Sequence, residues 1–255
     1  MRSSADLVVL DLEDSILPDD KGAARSAAGA ALAARPEGQP CAVRINALNT
    51  EYAPADLEMV YDCRPDAIVV PMAEFSGLVE MDRKELPVIP IVETPLGLRG
   101  SAQLAEIEGT WAMILGGVDL SRLLRLSPTP AGQELLFARS KLVLDSACAG
   151  IAPPIDVVHT NVYADGELMA AARFAKALGF GGKACIHPNQ VAIVQSAFAP
   201  SADELEWAKR VVAAFAAAQE DGRGVAALEG ELVERPVYDQ ALALIENERD
   251  TTQDA

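Results

Sequence analysis

Hydrophobic and polar positions along the chain follow two alternating rhythms. Short, largely apolar runs occur at Leu7–Leu12, Ala42–Ile45, Ala67–Val70, Val88–Val92, Ala112–Leu115, Ile155–Val158 and Gly182–Ile186. Runs of this kind predict parallel strands covered on both faces. Between them lie amphipathic segments such as Lys21–Ala34, Gly132–Ala149 and Gly166–Leu178, and the last meets a helix stop at Leu178-Gly179. Strand–helix alternation means βαβ units in an α/β fold. The count is seven strands, whereas a closed (β/α) barrel wants eight.

The pattern changes after Pro200, which predicts a division into a barrel domain, 1–199, and a C-terminal helical extension, 200–255. Ser201-Ala202-Asp203-Glu204 reads as a capping box opening an Ala-rich helix to about Ala218. A Gly-containing loop, the run Leu228–Val233 and a last helix over Val237–Glu246 follow, before a polar, frayed end from Arg249 to Ala255. Such a tail folds over a barrel end or reaches a neighbouring subunit. No internal repeat is present.

Composition narrows the classes. The chain has 255 residues, of which half are hydrophobic, enough for a large core. A net charge of −17 without clustered Lys or Arg argues against a nucleic-acid surface. It leaves room for a small anionic substrate held by a few local basic groups. No apolar run approaches the ~20 residues of a membrane span. Cys41, Cys63, Cys148 and Cys185 form no CxxC pair, and with no signal peptide they read as reduced thiols in a cytoplasmic protein.

In parallel sheets and barrels, functional groups gather at the carboxyl ends of strands. In order, those ends carry Glu13-Asp14, Arg44-Ile45-Asn46, Pro71, Glu93-Thr94, Gly116-Gly117-Val118-Asp119 and His187-Pro188. Oxygen ligands dominate. Glu93 and Asp119 end consecutive strands, spaced about 4.8 Å apart, so the two carboxylates can share one hard cation. Either acid alone would read as a solvated loop residue; together they favour Mg²⁺, which keeps waters and leaves positions for substrate. Gly116 and Gly117 let backbone approach a ligand there. Arg44 suits either a clamp on a substrate carboxylate or a salt bridge to Glu13 or Asp14. Lys21 and Arg25, one turn apart, are either a solvated face or an anion contact. His187 and His159 read as hydrogen-bonded structural residues.

Taken together, VVLDLEDSI (8–16), VRIN (43–46), PIVETPLG (90–97), GGVDL (116–120), LGFGGKACIHPNQ (178–190) and ALEGELVERPV (227–237) are recognisable. The chain resembles the citrate lyase beta-subunit-like branch of the HpcH/HpaI aldolase family, from residue 6 to about 246. The resemblance implies a TIM-type (β/α)8 barrel, commonly a homotrimer, with Mg²⁺ (or Mn²⁺) on Glu93 and Asp119. It implies that Glu13 and Asp14 hold metal-bound waters and neighbouring basic groups, and that Arg44 contacts substrate oxygens. Lys21, Arg25, Asn46, Gly116 and Gly117 are the expected substrate- or cofactor-binding positions. The implied activity is cleavage or formation of the C–C bond of a malyl-, citramalyl- or citryl-type CoA thioester, yielding an acyl-CoA and a 2-oxo acid.

Three departures bear on this. Only Met1–Ala5 precede the DLED strand, where relatives carry a strand like RSxLFVPG, so the first barrel strand is expected to be lacking or truncated. Val70-Pro71-Met72 stands where relatives have LPK. Glu234, in Val233-Glu234-Arg235-Pro236, replaces the tail Asp that relatives deliver over a neighbouring subunit's site for proton transfer. A metal-dependent 2-oxo acid aldolase without CoA and a non-catalytic paralogue remain the alternatives.

Overall fold

The computed structural model describes residues 3–129 and 132–253. By internal contacts the chain divides into two compact units, Met1–Phe198 and Ala199–Ala255. In the first, strands and helices alternate: β1 (Val8–Asp11), α1 (Lys21–Ala33), β2 (Cys41–Arg44), α2 (Ala53–Cys63), β3 (Ala67–Val70), α3 (Phe75–Glu80), β4 (Val88–Val92), α4 (Pro95–Arg99), α5 (Ser101–Glu106), β5 (Ile114–Leu115), α6 (Gly117–Leu124), α7 (Leu136–Ala149), β6 (Ile155–Asp156), α8 (Asp165–Leu178), β7 (Gly182–Lys183) and α9 (Pro188–Phe198). The seven strands form one parallel sheet in sequence order. Each sequence-predicted strand is present, although β5, β6 and β7 keep two residues each.

Alternation along the strands sorts side chains onto two faces. Cys41, Val43, Ile45, Ile68, Val70, Val88, Val92, Met113 and Leu115 join helix residues such as Leu32, Val60, Leu104, Leu142 and Ala175 in the main core. The residues between them, Ala42, Ala67, Val69, Ile89 and Ile91, make a second, smaller cluster that contains no helix residue. Helices therefore cover one face, and the strands bury the other against themselves, which requires a curved, barrel-like sheet. Among the described residues β1 and β7 each pair with a single strand. Gln195 on α9 nonetheless donates from Nε2 to Ser4 O at 2.7 Å, bringing the end of the sheet round to its beginning.

The second unit comprises α10 (Ala202–Glu220), an antiparallel hairpin of β8 (Ala226–Leu228) and β9 (Glu231–Val233), and α11 (Arg235–Gln253). The capping box is formed as read: Glu204 N donates to Ser201 Oγ, and Ser201 N donates to the Glu204 side chain. Positive φ at Glu229 and Gly230 turns the hairpin. Phe215 and Tyr238, with ring centroids 4.8 Å apart, pack α10 on α11. The tail expected to fray from Arg249 is helical to Gln253; its last two residues, like Met1 and Arg2, lie outside the described residues. None of the four cysteines forms a disulfide. Among the described residues no helix is long and apolar enough to cross a membrane.

Candidate active site at the carboxyl ends of the strands

The last pair of the β1–β2 register places Asp11 beside Arg44. Two charge-assisted bonds of 2.7 Å join Arg44 Nε to Asp11 Oδ1 and Nη2 to Oδ2, the planar fork that Arg offers and Lys lacks. Glu13 N (2.9 Å) and Ser15 Oγ (2.7 Å) also donate to the Asp11 carboxylate. Burial opposes ionisation of Asp11, but bonds from Arg44, Ser15 and the Glu13 N–H outweigh it and hold the pKa at about 2. The remaining nitrogen, Arg44 Nη1, lies 3.0 Å from Glu13 Oε2 and 3.9 Å from Asp14 Oδ2. The salt bridges read for Arg44 to Glu13 and Asp14 are thus present, and the two-pronged bond to Asp11 is added to them.

Glu13 is in a different state. Burial pushes its pKa up to about 8 against the pull of Arg44, helped by repulsion from Asp14, Glu93 and Asp11. Glu93, immediately after β4, behaves alike: burial raises it to about 7 against the Met72 N–H, and Asp119 and Asp14 add repulsion. The Met72 N–H donates to Glu93 Oε1 at 2.6 Å, from a backbone held at φ 47°. This left-handed conformation is uncommon for a residue with a side chain.

Asp119 sits in the first turn of α6, where the helix dipole favours a negative charge, and its Oδ1 takes a bond of 2.8 Å from Arg122 Nη2. Among the described residues no group of three or more His, Cys, Asp or Glu is assembled closely enough to hold a metal by itself. What exists is a set of mutually repelling carboxyls, two of them kept partly protonated near neutrality. A cation would relieve that repulsion, and a pair of carboxylates completed by water and substrate suits Mg²⁺. The residues present fit such an ion.

The remaining predicted positions have other surroundings. A Cβ on Gly116 would stand 2.3 Å from Glu93 Cβ and 2.5 Å from Glu93 Oε2, so the missing side chain makes room for Glu93. A Cβ on Gly117 would instead meet Leu135 and Val157, so the missing side chain there makes room for packing. Lys21 is buried, and its Nζ donates to Leu12 O, Glu13 O and Asn46 Oδ1, each at 2.7 Å. Three bonds use all its donors, and none is left for an anion. Arg25 pairs with Asp56 at 2.9 Å, and Asn46 is buried. Glu234 stands exposed between β9 and α11 in the second unit.

His187 Nδ1 accepts from Asn189 N at 3.3 Å, a structural hydrogen bond as read, while the buried His159 Nε2 has no hydrogen-bond partner among the described residues and lies 3.9 Å from Glu167 Oε2. Gln190 of the IHPNQ piece joins the ends of β6 and β7, donating to His159 O and accepting from Ile186 N. Asp56 was missed from sequence. It had a signal, because the spacing Ala53, Asp56, Val60 puts this acid on the buried stripe of α2.

The family model described as HpcH/HpaI aldolase/citrate lyase matches residues 1–188. Citrate lyase subunit beta of Escherichia coli (strain K12) is 32% identical over 254 residues, covering 93% of this chain and 83% of that protein. The mitochondrial citramalyl-CoA lyase of Rattus norvegicus is 31% identical over 266 residues, covering 94% and 78%. Among solved structures, the protein CitE from Mycobacterium tuberculosis in complex with magnesium, acetoacetate and coenzyme A superimposes with a TM-score of 0.81 at 32% identity, covering 94% of this chain and 89% of that one. The chain belongs to the HpcH/HpaI aldolase/citrate lyase family, in its citrate lyase beta-subunit-like branch.

Proposed function

We propose that this protein is a Mg²⁺-dependent carbon–carbon lyase that cleaves or forms a 3-hydroxyacyl-CoA thioester of the malyl-, citramalyl- or citryl-CoA type. The observation that carries the reading is Glu93: a buried carboxyl after β4, positioned by the Met72 N–H and repelled by Asp119. Glu93 and Asp119 would hold the ion, which supplies Lewis-acid polarisation of the 2-oxo acid oxygens when bound. Glu13 and Asp14 would accept hydrogen bonds from water on that ion. Arg44, kept rigid by its fork onto Asp11, offers positive charge to the carboxylate or oxyanion of the 2-oxo acid half. Glu234 moves the proton to or from the acyl-CoA carbon that becomes an enolate. The same reading takes the curved sheet as a TIM-type barrel, the tail as a lid over a neighbouring subunit, and the working molecule as a cytoplasmic homotrimer.

The test is incubation of the purified protein with malyl-CoA and citramalyl-CoA, with Mg²⁺ and then with EDTA, following both acyl-CoA and 2-oxo acid. Stoichiometric release of the two products, abolished by EDTA and by Glu93→Ala, is expected. Turnover that survives both would sink the metal assignment. Release of free CoA without acyl-CoA would point to thioester hydrolysis.

A further inference from the structure

Lys21 opens α1, yet it is buried, and its ammonium points back at the end of β1. A buried ammonium is expensive unless its hydrogen bonds and charge are compensated. Here the compensation is a connected network. Asn46 Oδ1 accepts from Lys21, while Asn46 Nδ2 donates to Leu12 O at 2.9 Å and to Asp56 Oδ2 at 2.6 Å. The Asn46 backbone N–H also donates to Asp56 Oδ2, at 2.8 Å, and Arg25 Nη1 closes the chain on Asp56 Oδ1 at 2.9 Å. Asp56 is fully buried, and the ring of Tyr52 lies 5.4 Å from Lys21 Nζ.

The tethered atoms are what matter. The carbonyls of Leu12 and Glu13 belong to the peptide units that lead into Glu13 and Asp14, and Asn46 lies two residues beyond Arg44. We infer that Lys21 and Asp56 are positioning residues: Lys21 directly, and Asp56 through Asn46, hold the segment 12–14 so that Glu13 and Asp14 face Arg44 and the ion that Glu93 and Asp119 would bind. This rests on the metal reading above. A surface pair on α1 would do nothing of the kind, and a purely structural clamp would not need to grip the two carbonyls next to the acids.

The experiment measures Mg²⁺ affinity by calorimetric titration, alongside Tm, for the full-length wild type, Lys21→Met, Asp56→Asn and Leu104→Ala. Leu104 is fully buried on α5 and its aliphatic side chain makes none of the network's hydrogen bonds, so its variant matches loss of stability without removing a polar partner. Expected are a weakening of Mg²⁺ binding by about tenfold or more in Lys21→Met and Asp56→Asn, in the range seen when supporting groups around a metal are removed. Leu104→Ala should stay within about twofold of wild type despite a lowered Tm. If Lys21→Met does not fold, Asp56→Asn carries the test. Wild-type affinity in a folded Lys21→Met or Asp56→Asn variant, or equal weakening in Leu104→Ala, overturns the positioning role alone. A wild type that binds no Mg²⁺ overturns the metal reading and this inference with it.

Discussion

Glu13 and Asp11 lie two residues apart, touch the same guanidinium, and titrate in opposite directions. Asp11 takes both prongs of the Arg44 fork and is held at about 2, so its contribution to stability is present above about pH 4 and is lost as pH falls toward 2. Glu13 and Glu93, raised to about 8 and about 7, act the other way. In the unfolded chain they ionise near pH 4.3. The folded, metal-free protein therefore loses stability as pH rises from about 4 through 8, where it keeps protons that the unfolded chain releases. Melting temperatures without Mg²⁺ should fall across pH 5 to 8, and Mg²⁺ should restore them while releasing protons, measurable by calorimetry in buffers of different ionisation enthalpy. A flat metal-free profile would contradict the burial of these carboxyls. Arg44→Lys should lower kcat about 10²-fold or more in steady-state assays, because a lysine cannot hold Asp11 with a planar fork and still reach Glu13.

At the scale of elements, the site depends on close approach between neighbouring strand ends. Gly116→Ala is expected to weaken Mg²⁺ binding at least tenfold with little change in far-ultraviolet circular dichroism, since its Cβ would occupy the place of Glu93 Cβ and Oε2. Wild-type affinity in that variant would mean that Glu93 moves aside freely. On α10, Ser201→Ala removes a capping box and should cost about 1 kcal/mol in denaturant unfolding, leaving Mg²⁺ affinity untouched. The strands were legible because continuous apolar runs follow from burial on both faces, and the capping box because its chemistry is local. The partners of Lys21 were not legible. Helical spacing placed it one turn from Arg25, but its acceptors come from residues 12, 13 and 46, and only the packing of α1 against two strand ends brings them together. Asp56 was legible in principle from the buried stripe of α2, an acid where an apolar residue belongs.

For the whole molecule, in the proposed reaction the ion would sit on the first unit and the proton-transferring Glu234 on the second unit of a neighbouring copy. Glu234→Gln and Glu93→Gln should each be inactive alone, and co-refolding or co-expressing the two should restore measurable activity if the acid is delivered between copies. Failure to complement, with both variants soluble and assembled, would place Glu234 outside the reaction. The sequence by itself determined the alternation of seven strands with helices, the family, and the acids at the strand ends, because burial periodicity and local motifs are written residue by residue. Only the tertiary structure decided how those acids divide their work. Asp11 neutralises Arg44, Glu13 and Glu93 are left short of positive charge, and Lys21 turns inward to hold backbone. Those roles depend on distances of a few ångströms between residues tens of positions apart, and on the loss of water around them, neither of which any single stretch of sequence contains.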